Sequence, residues 1–175
     1  MYDGSTLQFG KNNNQRYNLR VNNNFKLSNK LTLESSIAYN RQEQIAPSQI
    51  GSALTTNIPM PGLPFEAMNG KAYAWGTWGS PVARLKEGGD NKLSVSGINI
   101  NEKLNYAVND WLTATIDAGY NSSNTNRSIV ENPVTFYNYK GDKKVLVSPT
   151  QQSSRFRETS GRNNFYSISG YVNVT

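Results

Sequence analysis

Two carboxylates, Glu34 and Asp117, sit in segments that resemble each other, and an acid/base pair is the first chemistry such residues suggest. They belong to different hairpins, and no nucleophile or partner motif accompanies them. The pair is therefore read as polar lining, and no enzymatic activity is expected. With no histidine and no cysteine, the chain lacks the commonest general base, the commonest metal ligands and any disulfide framework. No cofactor or metal is expected. A second group offers binding: Tyr73-Ala-Trp75-Gly-Thr-Trp78-Gly places three aromatics between glycines, where their faces could stack on a sugar ring or meet a partner protein. The competing reading is that these rings pack their own loop against its neighbours, the commoner use of large aromatics. The net charge of +6 is scattered without a Lys/Arg run, which gives nucleic-acid binding little support.

Two copies of one β-hairpin carry these residues. Asn24 to Asn40, NFKLSNKLTLESSIAYN, lies without a gap over Asn105 to Asn121, NYAVNDWLTATIDAGYN, so that Phe25 meets Tyr106 and Tyr39 meets Tyr120 at an offset of 81 residues. Apolar and polar side chains alternate on either side of a short turn, Ser28-Asn29-Lys30 or Asn109-Asp110-Trp111. Such alternation puts every second side chain on one face of a sheet. One face carries Leu31, Leu33, Ile37 and Tyr39, then Leu112, Ala114, Ile116, Ala118 and Tyr120. The other carries Thr32, Glu34, Ser36, Asn40 and Thr113, Thr115, Asp117, Asn121, and is wet.

Aromatics stand at both ends of the apolar face. At about 3.3 Å per residue and a tilt of about 40°, Leu31 and Tyr39 lie roughly 20 Å apart along a membrane normal, close to the spacing of aromatic girdles on an outer-membrane barrel. Hydrophobic residues are only 36% and the mean hydropathy is −0.64, so a large dry core is not expected. At 17% charged residues, the chain does not have the composition of charge-rich disorder either. Met1-Tyr-Asp-Gly lacks the basic start and apolar run of a signal peptide, and no stretch has the length of a transmembrane helix.

In chain order, residues 1 to 14 read as the end of a loop. A first strand follows over about Gln15 to Leu27, with Arg16, Arg20 and Lys26 on its polar face. Asn23 interrupts the apolar face there, and Ser35 interrupts it in the second strand, about Lys30 to Glu43. Residues 46 to 91 show no alternation and hold Pro47, Pro59, Pro61, Pro64 and Pro81, which reads as a long loop. The third strand, about Lys92 to Val108, changes phase near Gly97, and a β-bulge there would account for the slip. The fourth, about Trp111 to Ser123, leads into a second long connection from Asn124 to about Arg162. Within that connection Thr135 to Val147 reads as a small hairpin turning near Gly141-Asp142. A last strand begins near Asn163 or somewhat earlier. Five strands cannot close a barrel. The expected fold is therefore all-β: an antiparallel, up-and-down segment of a transmembrane β-barrel, with two long extracellular loops.

With its alternation of short turn and long loop, and the phrases YNLRVNNNFKLSNKLTLESSIAYNR and INEKLNYAVNDWLTATIDAGYN, the chain resembles the barrel of SusC/RagA-type TonB-dependent transporters of Bacteroidetes. Gly79-Ser-Pro-Val-Ala-Arg-Leu85 resembles the "NP" segment that commonly precedes one of their strands, with Ser80 where Asn is usual. The resemblance spans nearly the whole chain, 1–175, as part of a barrel, and implies residence in the outer membrane lipid. It also implies an N-terminal plug and a TonB box, neither of which matches any part of these residues. Contact with the TonB complex is thus expected only through a region missing here. The further partners it implies are a SusD-like surface lipoprotein that lids the barrel and an oligosaccharide or peptide ligand. On this reading Tyr73, Trp75 and Trp78 contact ligand or partner, and Arg16, Arg20, Lys26, Glu34 and Asp117 face the lumen. Two other classes fit parts of the pattern. A passive porin or adhesin barrel would share it without energy coupling, and a secreted carbohydrate-binding β-sandwich would need shorter loops and a more apolar inner face.

Overall fold

The structure is a computed structural model that describes residues 11–55, 64–75, 78–145, 147 and 153–174 of the 175. Most of the chain is antiparallel strand. Five long strands, β1 (Asn13–Lys26), β2 (Leu31–Pro47), β5 (Asp90–Asn109), β6 (Leu112–Glu131) and β9 (Arg155–Val174), form one sheet. They lie side by side in chain order, each paired with the next. Both copies of the repeat fall in this one sheet as hairpins. The remaining elements belong to the two long connections: α1 (Ile50–Thr55), β3 (Ala74–Trp75), β4 (Trp78–Gly79) and α2 (Pro81–Glu87) in the first, β7 (Phe136–Tyr137) and β8 (Lys144–Val145) in the second.

Register places the apolar alternation of every strand on a common face. Val21, Ile37, Ile100, Tyr120 and Tyr166 form one row across all five strands, and Phe25, Leu33, Leu104 and Ile116 lie in another. The rings of Tyr120 and Tyr166 meet at 4.9 Å. No described residue covers this face at several positions: Leu19 is 63% exposed, Ile116 50%, Ile168 80%, Val172 60% and Val174 72%. Half-burying those five side chains would contribute on the order of 5 kcal/mol, comparable to the net stability of a small domain. Asn23 and Ser35, which break the apolar pattern in their strands, prove to be opposite each other. Glu102 stands next in the same row, and the Ser35 hydroxyl donates to its carboxylate at 2.6 Å. The row is thus polar on β1, β2 and β5 and apolar beyond, where Ala118 and Ile168 continue it.

Several boundaries differ from the expected ones. There is no bulge at Gly97, which pairs in continuous register with Asn40 on one side and Ser123 on the other. Leu93 and Val95 instead occupy the face opposite Ile98 and Ile100, beside Gln44 and Gln42. A Cβ at 97 would come within 2.9 Å of Asn40 Oδ1, the end of a side chain that can turn aside. The register shift in β5 lies between Ala107 and Asn109, at the short turn. Strand β6 runs eight residues past its expected end and β9 starts eight before Asn163, so the second connection is 132–154 and much shorter than expected. In those extensions both faces are polar over Asn124-Thr-Asn-Arg-Ser128, with Ile129 and the paired Val130 and Phe156 at the far end, and pairing with β5 and β9 holds them extended with no alternation to reveal it. The first connection, 48–89, is not irregular throughout, since it holds two short helices and a two-stranded ladder. β1 begins at Asn13 rather than Gln15; residues 1–10 of the expected leading loop lie outside the described residues.

Ser80 shows how the loops acquire order. Its side chain accepts from the Ala83 N–H at 3.4 Å as the N-cap of α2, and Pro81 follows at a position where a missing N–H costs nothing. The segment likened to an "NP" motif is thus a helix start, and only Gly88 and Gly89 separate that helix from β5. The expected hairpin over 135–147 is present as β7 and β8. Its turn is held by the Asn138 side chain, which accepts from the N–H groups of Gly141, Asp142 and Lys143, while Gly141 takes φ +76°.

Candidate ligand-contact surfaces

The two connections pack on each other as one loop unit. Tyr73 bridges Tyr137, the Tyr137 N–H donates to the Ala72 carbonyl at 2.8 Å, and the Met68 N–H donates to the Tyr139 carbonyl at 2.9 Å. Ala74, Ala83, Val134, Phe136 and Val147 form its small core, with Phe136 only 1% exposed. A Cβ on Gly79 would fall 2.5 Å from the Phe136 ring, so glycine is needed there to admit the phenyl group.

Within this unit Tyr73 is half-buried, its ring 5.8 Å from that of Trp75 and 5.8 Å, nearly edge-on, from that of Tyr139. Trp75 pairs with Trp78 across the β3–β4 ladder. The Trp78 side chain and the intervening Gly76 and Thr77 lie outside the described residues. Tyr73 and Trp75 thus hold the loops together and still present area to solvent. Tyr139, 52% exposed, extends the aromatic strip. Sequence reasoning did not single it out, although its place in the Thr135–Val147 hairpin was the available signal. Beside it Lys71 Nζ lies 4.5 Å above the Tyr137 ring and donates to the Gly141 carbonyl at 3.2 Å.

The second surface is the polar face of the sheet. Arg16, Arg20 and Lys26 on β1, Glu34 on β2 and Asp117 on β6 all lie on it by register. Glu34 and Asp117 stand at one level, but Lys103 on β5 stands between them, which sets them about 10 Å apart by strand spacing. They form no direct pair. Glu34 Oε1 accepts from the Asn105 amide at 2.9 Å, and Asn105 Oδ1 accepts from the buried Thr115 hydroxyl at 3.0 Å. Around them a depression of about 610 Å³ is lined by Asn24, Glu34, Asn101, Lys103, Asp117 and Ser169 among others. Amides, hydroxyls and separated charges suit a hydroxyl-rich or peptide-like solute. Among the described residues none of the five predicted lumen residues joins an ion pair, and no group of acidic residues could hold a metal ion.

A third feature escaped the sequence. The Gly88 carbonyl accepts from Ser48 Oγ at 2.7 Å, Gln49 Nε2 at 3.2 Å and the Asn132 N–H at 2.9 Å, tying both loops at their base. The Gly88-Gly89 doublet was its signal. Gly89 takes φ +99°, and a Cβ on it would fall 2.1 Å from the Val130 carbonyl oxygen. No helix is long and apolar enough to cross a membrane among the described residues, which says nothing of crossing by strands. No protein-family model matches this chain and no curated protein matches it, so a functional reading has to stand on these surfaces.

Proposed function

We propose that this sheet is an arc of a larger outer-membrane β-barrel, part of a SusC-like TonB-dependent transporter that takes up oligosaccharides or peptides. One observation carries the reading. A five-stranded up-and-down meander presents an apolar band on one face and a wet face on the other, and among the described residues nothing covers the band at several positions and no strand pairs with the outer edges of β1 and β9. Lipid would cover the band, further strands would cover the edges, and the polar face would line the lumen. Arg16, Arg20, Lys26, Glu34 and Asp117 then border the solute path or its plug. The loop unit forms the extracellular mouth, where Tyr73, Trp75 and Trp78 meet solute or a SusD-like lid. A secreted β-sandwich would need a second sheet against the apolar band, and no described residues supply one.

The chain has no cysteine, so single-cysteine variants test the proposal cleanly. In outer membranes carrying the protein, Ile100→Cys and Ile116→Cys should resist a water-soluble maleimide, while Asn101→Cys and Asp117→Cys should react once the lumen is reached. Equal labelling of the two sets would exclude a lipid-facing band.

A further inference from the structure

Arg84 is the only described cation of the loop unit that is buried. It is 5% exposed, its Nε is sealed without a hydrogen-bond partner, and its guanidinium lies 5.4 Å from the centroid of Phe136. Burial lowers its pKa, yet an arginine cannot shed its proton within the range a protein experiences. A buried charge of this kind is retained where an opposite charge completes it. The loop segments 48–89 and 132–154 contain three acids, Glu66, Glu87 and Asp142. Glu66 lies 4.0 Å from Lys86, Asp142 accepts from the Asn138 amide at 2.7 Å, and Glu87 is exposed on the surface. None pairs with Arg84, and the loop residues outside the described ones include no acid at all.

We infer that Arg84 anchors a carboxylate-binding site in the loop unit, filled by a solute bearing a single carboxylate. The planar guanidinium can offer a carboxylate two parallel N–H···O bonds through its two terminal nitrogens, and the Phe136 ring lies 5.4 Å from it. A monoanion fits better than a phosphate dianion because the neighbouring cations are engaged elsewhere: Lys71 is held over Tyr137, and Lys86 faces Glu66. The site belongs to the loop unit and stands whether or not the sheet spans a membrane.

The test uses the full chain in detergent micelles. Acetate and glucuronate, compared with glucose and with chloride at equal ionic strength, should raise the unfolding temperature saturably by several degrees. That rise should vanish in Arg84→Met, which keeps the stem against Phe136 and removes the charge. In a chain labelled with ¹⁵N-arginine, the Nε–H signal lost in Arg84→Lys should move with the same titration, and this measurement decides the matter if Arg84→Met does not fold. A carboxylate effect of equal size in Arg84→Met, an unmoved Nε–H signal, or a stronger response to sulfate and phosphate than to carboxylates would overturn the assignment.

Discussion

At the scale of single residues, the aromatics give the sharpest expectation. Trp75 packs against Tyr73 while remaining partly open, so truncation removes contact area for a solute or lid and some packing with it. On the proposed transporter reading, Trp75→Ala and Trp78→Ala in the complete barrel should reduce ligand uptake or lid association while leaving barrel assembly intact. Normal uptake with both variants assembled would reduce these rings to loop packing. Gly89 is a purely structural counterpart: Gly89→Ala forces a side chain into a positive φ and onto the Val130 carbonyl. About 1–3 kcal/mol should be lost, read as faster protease cleavage within 48–89 and 132–154. The sequence showed that 73–78 was aromatic and placed between glycines. It could not show that Tyr139, in another connection, completes the strip, or that Arg84 is buried, because both depend on how two loops distant in the chain pack together.

At the scale of elements, periodicity was informative only where the two faces of a strand differ. The lower halves of all five strands alternate, and the pairings of β1 with β2 and of β5 with β6 could be read directly from the hairpin repeat. The upper halves of β6 and β9 are mostly polar on both faces, with Ile129, Val130 and Phe156 as exceptions, and their pairing is visible only in register. The row Asn23, Ser35 and Glu102 tests how the sheet tolerates polarity within its apolar band. Ser35→Ala should cost about 1–3 kcal/mol in detergent denaturation by leaving the Glu102 carboxylate without its donor. Ser35→Val combined with Glu102→Leu should recover that loss or exceed the parent. If the single and double variants are equally destabilised, the hydrogen bond is not what sustains the row. In the loop unit, Ser80→Ala should weaken α2 by about 1 kcal/mol through loss of its cap.

At the scale of the whole molecule, the open apolar face and the two free edges predict behaviour in water. Purified without detergent, the chain should associate or precipitate, and detergent should disperse it. Sedimentation as a compact monomer in plain buffer would count heavily against the barrel reading. The neck beneath the loop unit has a further consequence. Pro47 pairs with Asp90 and the Ser48 N–H donates to the Gly89 carbonyl at 2.9 Å, so 48–89 leaves and re-enters the sheet at adjacent points, as a two-residue turn would. The sheet register on either side of the insert is therefore fixed at this neck. A foreign recognition loop grafted inside the Ser48–Gly89 neck should keep the strand register, while Val134, Phe136 and Val147 would lose the Ala74 and Ala83 side of their core.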